Sequence, residues 1–184
     1  MNDHAPSPWV VRFAPLIAKG ARVLDLAAGR GRHAVFFAAR QARVVAADRD
    51  PTALATFAAT PGVETRAVDL ETGPWPFAGE RFDAIVAVRY LHRALFPHLL
   101  ASLADDGVVL YETFAAGNES YGRPTNPAFL LAPGELLEFA RDRLTVVAFE
   151  QGLVAVPRPA VQQRLAAVGR ARAWPPPLPG WALG

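Results

Sequence analysis

The stretch Val23-Leu24-Asp25-Leu26-Ala27-Ala28-Gly29-Arg30-Gly31-Arg32-His33-Ala34 decides how the chain is read. Its apolar run holds a carboxylate near its end, passes through a turn of Ala and Gly, and opens a helix. That order predicts a strand, a loop able to approach a ligand closely, and a helix N-terminus aimed at the ligand. A nucleotide-like cofactor is what such a geometry serves. Gly29-Arg30-Gly31-Arg32-His33-Ala34 also satisfies the dinucleotide pattern G-x-G-x-x-G/A, which by itself leaves the cofactor open.

Outward from this stretch, strands and helices alternate. Upstream, Trp9, Val10, Phe13, Leu16 and Ile17 recur at helical spacing, predicting a helix over Trp9–Ala18 that breaks at Pro15, after a loose lead-in over Met1–Pro8. Strands are predicted at Arg22–Leu26, Arg43–Asp48, Val63–Asp69, Phe82–Val88 and Gly107–Phe114. Between them lie a helix over Arg32–Arg40, one capped by Asp50 with Pro51 at its first position, and one over Ala94–Leu103 kinked near Pro97. A long loop, Ala115–Leu131, precedes a helix over Pro133–Ala140. Two strand candidates follow, Leu144–Phe149 and Val161–Val168, the second also compatible with a helix by composition. A Pro-rich tail, Trp174–Gly184, is left without assigned structure.

The alternation argues for an α/β fold with a parallel sheet, in which ligands bind beyond the carboxyl ends of the strands. Asp25, Asp48 and Asp69 then lie along one rim.

Composition sets bounds. A chain of 184 residues with 52% hydrophobic and 20% charged residues is expected to fold as a single domain over 1–184, with an N-terminal helix region at 1–20 and the Pro-rich tail at 170–184. The absence of Cys excludes disulfides, thiolate metal sites and a cysteine nucleophile. No transmembrane run or signal-peptide pattern is read, so the expected compartment is the cytoplasm, with no membrane partner. The net charge is only +2 and the arginines are scattered, so no nucleic-acid partner is expected. His4, His33, His92 and His98 form no H-E-x-x-H spacing, and no metal is assigned. No G-x-S-x-G is present, which excludes that class of serine hydrolase.

Charge then separates the cofactors. Asp48, ending the second strand, suits ribose hydroxyls in either NAD or S-adenosylmethionine. Asp25 lies just before the turn, beside the place where a dinucleotide's pyrophosphate would sit, and would repel it, more strongly at lowered dielectric than in water. The same carboxylate suits an ammonium and a nearby sulfonium. Asp69 offers a polar group to an adenine amine, with Leu70 beside the ring. This set favours S-adenosylmethionine, with S-adenosylhomocysteine as product.

The first motif, Val23–Ala34, together with A-A-D-R-D-P at 46–51, V-D-L-E-T-G-P-W-P-F at 68–77 and F-D-A-I-V-A-V-R-Y-L-H-R at 82–93, resembles the class I S-adenosylmethionine-dependent methyltransferases. L-Y-E-T-F-A-A-G-N-E-S-Y-G-R-P at 110–124 resembles small bacterial members of the tellurite-resistance type. The resemblance covers about Ala21 to Ala167. It implies a Rossmann-like three-layer sandwich whose seven-stranded, mostly parallel sheet has an antiparallel last strand. By the same resemblance, Asp25, Ala27, Gly29 and Gly31 line the methionine half, with Arg32 also assigned to the cofactor. Asp48 holds the ribose with Arg49 beside it, Asp69 and Leu70 flank the adenine, and Val88 and Arg89 close the floor. Ala27 departs from the family's more frequent Gly, and is expected to keep φ below zero.

The expected reaction is methyl transfer to a small-molecule acceptor, built from segments after the fourth and fifth strands. His92 is the candidate base or a helix cap. Tyr90 orients the acceptor or forms a wall. Tyr121 and Arg123 stand in the second segment, and Arg123 either binds an anionic acceptor as a fork or pairs with Glu119. Arg30, Arg32, Arg89 and Arg93 either extend a cationic mouth or pair with Asp25 and its neighbours. After the fourth strand there is no [D/N]-P-P-[Y/F] element, which argues against exocyclic amines of nucleobases; RNA or protein acceptors rank second. The rival readings are an NAD(P)-dependent oxidoreductase and a non-catalytic S-adenosylmethionine-binding regulatory domain.

Overall fold

The computed structural model describes residues 5–156 and 158–176. β1 (Arg22–Leu26), β2 (Arg43–Asp48), β3 (Val63–Ala67), β4 (Phe82–Val88) and β5 (Leu103–Phe114) pair in parallel, and β6 (Leu144–Val154) and β7 (Ala160–Gly169) complete the sheet. The order is β3-β2-β1-β4-β5-β7-β6, and β7 runs antiparallel to both its neighbours. The order reverses between β1 and β4, so the crevice expected to take a ligand opens above Leu26 and Val88.

Alternation along the strands sends successive side chains to two covered faces. Val23, Val44, Val86, Leu110 and Val168 face α1 (Pro8–Phe13), α2 (Arg32–Ala39) and α3 (Pro51–Ala55), meeting Phe13, Phe37 and Leu54. Leu24, Val45, Ile85, Val109 and Leu165 face α4 (Phe96–Ser102) and α5 (Glu135–Ala140), meeting Leu99, Leu136 and Phe139. Burying each large side chain stabilises the fold by roughly 1.5–3 kcal/mol before entropy is counted. This is the three-layer sandwich expected, and Val161–Val168 is strand.

Several boundaries move. α1 ends at Phe13 and passes into a 3-10 turn, Ala14–Leu16, whose first turn accommodates Pro15. Pro97 lies in the first turn of α4, where its missing N–H costs nothing, so it starts that helix instead of kinking it. β3 stops at Ala67, leaving Val68 to Asp69 outside the ladder. The lead-in is not loose from Ala5 onward, since Ser7 is buried. Met1–His4 and residues 177–184 of the tail lie outside the described residues; Trp174 is exposed. Among the described residues no helix is long and apolar enough to cross a membrane.

Candidate active site

The glycine turn is held down by the end of β2. Ala28 N–H donates to the Ala47 carbonyl at 2.9 Å, and Gly29 N–H donates to Asp48 Oδ2 at 2.7 Å. The other oxygen, Asp48 Oδ1, accepts from Asp50 N–H at 2.9 Å. Asp50 in turn caps α3 through Thr52 and Ala53. Asp48 thus fixes two turns and keeps lone pairs for hydroxyl donors of a ligand.

Ala27 overturns its expectation, with φ at +54°. The chain must reverse directly after β1 to lay Ala28 against β2, and the left-handed conformation does this at about 1–2 kcal/mol for a residue with a Cβ. Gly31 is at φ +73°, and a Cβ there would lie 2.5 Å from the Phe57 ring. Glycine at 31 is demanded twice, by the backbone and by the ring packed beneath it.

Ala27, Asp48, Arg49, Val68, Asp69, Leu70, Glu71 and Tyr90 enclose a cleft of about 160 Å³. The structure therefore brings together Ala27, Asp48, Arg49, Asp69 and Leu70, five of the residues assigned to the cofactor. It adds Val68 and Glu71, which the sequence reading did not single out. Tyr90, expected on the acceptor side, lines this cleft instead. Its hydroxyl is buried with no hydrogen-bond partner, and burial, with Glu71 and Asp69 nearby, pushes its pKa up. Asp69 accepts from Glu71 N–H at 2.9 Å, which holds its carboxyl below the usual range. Val88 is buried where β4 ends, and Arg89 follows at φ +59°, its N–H donating to the Glu112 carbonyl at 2.8 Å.

Asp25 is not on the cleft wall. It is 1% exposed on the α1/α2 face of β1, and its Oδ2 has no partner. Burial raises its pKa to about 7, against the opposing pull of the Ala34 amide and the charge of Arg32. His33, in the first turn of α2, lies 4.0 Å from Asp25 Oδ1. Burial, with Arg32 and Arg89 nearby, lowers the His33 pKa to about 3. Both groups are driven towards neutrality, so the contact is not an ion pair. The imidazole's Nε2 accepts from Ser7 N–H at 3.1 Å, and Ser7 Oγ donates to Glu112 Oε2 at 2.7 Å. Glu112 lies 3.4 Å from Arg164 Nε.

Sequence reading missed Ser7, His33 and Glu112 as one group. The signals were a histidine directly after the glycines and a lone carboxylate inside the apolar run V-V-L-Y-E-T-F. Arg32, half-buried, reaches the Ala5 carbonyl at 3.4 Å.

The residues expected on an acceptor side are dispersed. His92 occupies the N-cap position of the 3-10 turn Arg93–Leu95, its carbonyl accepting from Leu95 N–H at 3.0 Å, while its side chain makes no capping bond. Arg93 pairs with Glu135 at 2.6 Å and donates to the carbonyls of Ala128 and Leu130, both at 2.8 Å. It ties two loops together and joins neither a cationic mouth nor Asp25. Arg30 and Arg89 are exposed. Buried Asn118 organises the long loop, donating to the carbonyls of Gly122 and Pro124 and accepting from Val161 N–H. Glu119 accepts from Gly117 N–H at 2.9 Å, and no Arg123–Glu119 ion pair forms among the described residues. Tyr121 and Arg123 stand exposed on this loop.

Residues 23–107 match the family model described as "Methyltransferase domain". A search of curated protein sequences gave no match. Among solved structures, TehB from Haemophilus influenzae is similar with a TM-score of 0.75 at 19% identity, covering 90% of this chain and 63% of its own. The chain thus spans under two thirds of the length of that protein. A TehB-like S-adenosylmethionine-dependent methyltransferase from Corynebacterium glutamicum gives 0.63 at 19% identity, covering 88% of this chain and 86% of that one. The 1,6-didemethyltoxoflavin-N1-methyltransferase of Burkholderia thailandensis gives 0.64 at 24% identity, covering 88% and 76%. These likenesses are of fold, and the fold is the Rossmann-like one of S-adenosylmethionine-dependent methyltransferases.

Proposed function

We propose that this methyltransferase domain transfers the methyl group of S-adenosylmethionine to a small-molecule acceptor. The observation that carries the reading is Asp25, a buried carboxylate beneath the glycine turn whose Oδ2 lacks a partner. A buried unpartnered polar atom costs about 1–3 kcal/mol, so a ligand that supplies a cation or donor there recovers that energy. An ammonium does so and favours the ionised carboxylate, whereas a pyrophosphate brings only acceptors and negative charge.

When bound, the cofactor supplies an already activated methyl carbon, and the protein mainly orients what reacts with it. Asp48 accepts from ribose hydroxyls while holding the glycine turn. Asp69 and Leu70 take the adenine edge and face, and the Tyr90 hydroxyl completes its hydrogen bonding on the same ligand. Gly29, Gly31 and Ala27 let the backbone approach, Asp25 and Arg32 serve the methionine end, Arg49 stands beside the ribose, and Val88 with Arg89 forms the floor. On the acceptor side, His92 removes a proton from an acceptor that arrives protonated, and Tyr121 with Arg123 presents an aromatic face and an anion fork. A small acceptor is supported by the Burkholderia thailandensis structure, which has 1,6-didemethyltoxoflavin and S-adenosylhomocysteine bound.

Calorimetry with S-adenosylmethionine, S-adenosylhomocysteine and NADH tests the donor. We expect the first two to bind and NADH not to; binding of NADH alone would overturn the assignment. Mass spectrometry of a metabolite screen with labelled donor tests the acceptor, and label found only in RNA or protein would refute the small-molecule class.

A further inference from the structure

Ala5 and Ser7 are tied to residues beside the glycine turn, and α1 behind them is packed into the core. Ser7 is 4% exposed and makes three side-chain-linked bonds at once. Its amide donates to His33 Nε2 at 3.1 Å, its hydroxyl donates to Glu112 Oε2 at 2.7 Å, and that hydroxyl accepts from Trp9 N–H at 3.1 Å. On either side, Arg32 reaches the Ala5 carbonyl and Trp9 Nε1 donates to the Leu165 carbonyl at 3.2 Å. An N-cap requires only the Trp9 bond. The other two bonds run to the first turn of the cofactor helix and to the end of β5, whose Glu112 carbonyl also holds Arg89.

We infer that residues 5–8, carried on the core-packed α1, form a cover over the methionine end of the cofactor site, latched by Ser7 onto His33 and Glu112. Latching and cofactor binding then reinforce each other. The inference rests on the S-adenosylmethionine reading of the site.

The latch sets the chemistry beneath it. With Nε2 accepting from the Ser7 amide, the imidazole's single proton is on Nδ1, the nitrogen nearest Asp25. The groups facing this spot are Arg32 and Asp48 around Asp25, Arg32 and Arg89 around His33, and Arg164 against Glu112. Water is kept from Asp25 and His33 while the cover is closed. Opening it lets Asp25 ionise as an ordinary carboxylate and frees His33 to turn. Coupling of two binding events is reciprocal, so the cofactor holds the cover by the same factor by which the cover strengthens the cofactor. Ser7 is thus a positioning residue, acting through His33.

The test combines hydrogen exchange with calorimetry on the full chain, using S-adenosylhomocysteine as probe. Saturating probe should slow exchange of the Ser7, Val10 and Val11 amides at least about tenfold. Ser7→Ala should weaken the probe about tenfold, the order expected for one hydrogen bond to a charged group, and Ser7→Thr should recover most of that loss. Ser7→Ala should also move the pH midpoint of binding down from near 7, which a purely structural serine would not do. Glu112→Ala, which leaves the α1 cap intact, should weaken the probe in the same direction. Thermal melts confirm that each variant is folded. Probe bound by the wild type with unchanged exchange, or Ser7→Ala retaining affinity and midpoint, overturns the cover while the cofactor reading stands. Failure of the wild type to bind either S-adenosylmethionine or the probe overturns both.

Discussion

The two halves of the sheet's C-terminal rim are built by different means. In the cofactor half, carboxylates at or just beyond strand ends bind backbone amides of the turns that follow: Asp48 holds Gly29 and Asp50, and Asp69 holds Glu71. The side chains that would meet a ligand are the same ones that fix the turns. In the acceptor half, polar side chains hold loops to loops. Arg93 binds Glu135 and two carbonyls, Asn118 binds three backbone groups, and Glu119 binds its own turn. What faces outward there is exposed Tyr121 and Arg123, with His92 half-buried. The difference teaches that the first half fixes its turns with carboxylates at strand ends, whereas the second presents outward only the residues not spent on securing loops.

The sharpest way to break this comparison is Asp48→Ala. It removes two hydrogen bonds to the turns and any to the ribose, each worth about 1.5–3 kcal/mol when a charge is involved, so affinity for S-adenosylhomocysteine should fall about 100-fold or more. His92→Ala and Arg123→Ala should leave that affinity within about twofold and slow transfer to an identified acceptor instead, since neither lines the cleft. Calorimetry in which Arg123→Ala loses the cofactor, or Asp48→Ala keeps it, would erase the distinction between the halves.

Next in size is the pH response of the buried pair. Binding an ammonium favours ionised Asp25, so affinity for S-adenosylhomocysteine should be level above pH 7 and fall up to about tenfold per unit below it, a dependence lost in Asp25→Asn. Stability behaves oppositely at the two groups. Asp25, raised from 3.8 to about 7, favours the fold when protonated, and that contribution is lost as pH rises between those values. His33, lowered from 6.5 to about 3, favours the fold when neutral, and its contribution is lost as pH falls between those values. Between about pH 4 and 6.5 the two slopes, each at most about 1.4 kcal/mol per unit, offset one another. Denaturation curves should therefore show Asp25→Asn losing stability towards acid in this window and His33→Gln gaining it. Parallel slopes in the two variants would show that the groups are not desolvated together.

Arg93→Ala should cost about 1 kcal/mol in urea unfolding, discounted because the side chain is 41% exposed, with no change in cofactor affinity. A loss of affinity would show that the loops of the acceptor half also shape the cofactor half.

The same division explains what the sequence disclosed. Apolar runs between turn residues placed β1, β2, β4 and β5, and Asp25 and Asp48 stood out as charges in those runs, whereas β3 is the mixed V-E-T-R-A and Val161–Val168 was also compatible with a helix. Tyr90, read as orienting an acceptor or forming a wall, lines the cleft beside Ala27 and Asp48, and the positive-φ turn at Arg89 just before it is announced by no residue type. Arg93 was misjudged because its partner is 42 residues away and its carbonyl acceptors have no sequence signature. Ser7 looked like part of a loose terminus, since only the fold brings it to Glu112, 105 residues on.

Ala27 offers the smallest and finest test. At φ +54° its Cβ strains the backbone by about 1–2 kcal/mol, whereas Gly would relieve that strain and lose up to about 1 kcal/mol through the freer unfolded chain. Ala27→Gly should therefore stabilise the protein by no more than about 1 kcal/mol in chemical denaturation, and leave cofactor affinity unchanged, because the backbone position is already the one the site uses. A gain in affinity as well would mean that Ala27 holds the turn away from its binding geometry. The cofactor half would then be adjustable, and the contrast with the acceptor half would be one of degree.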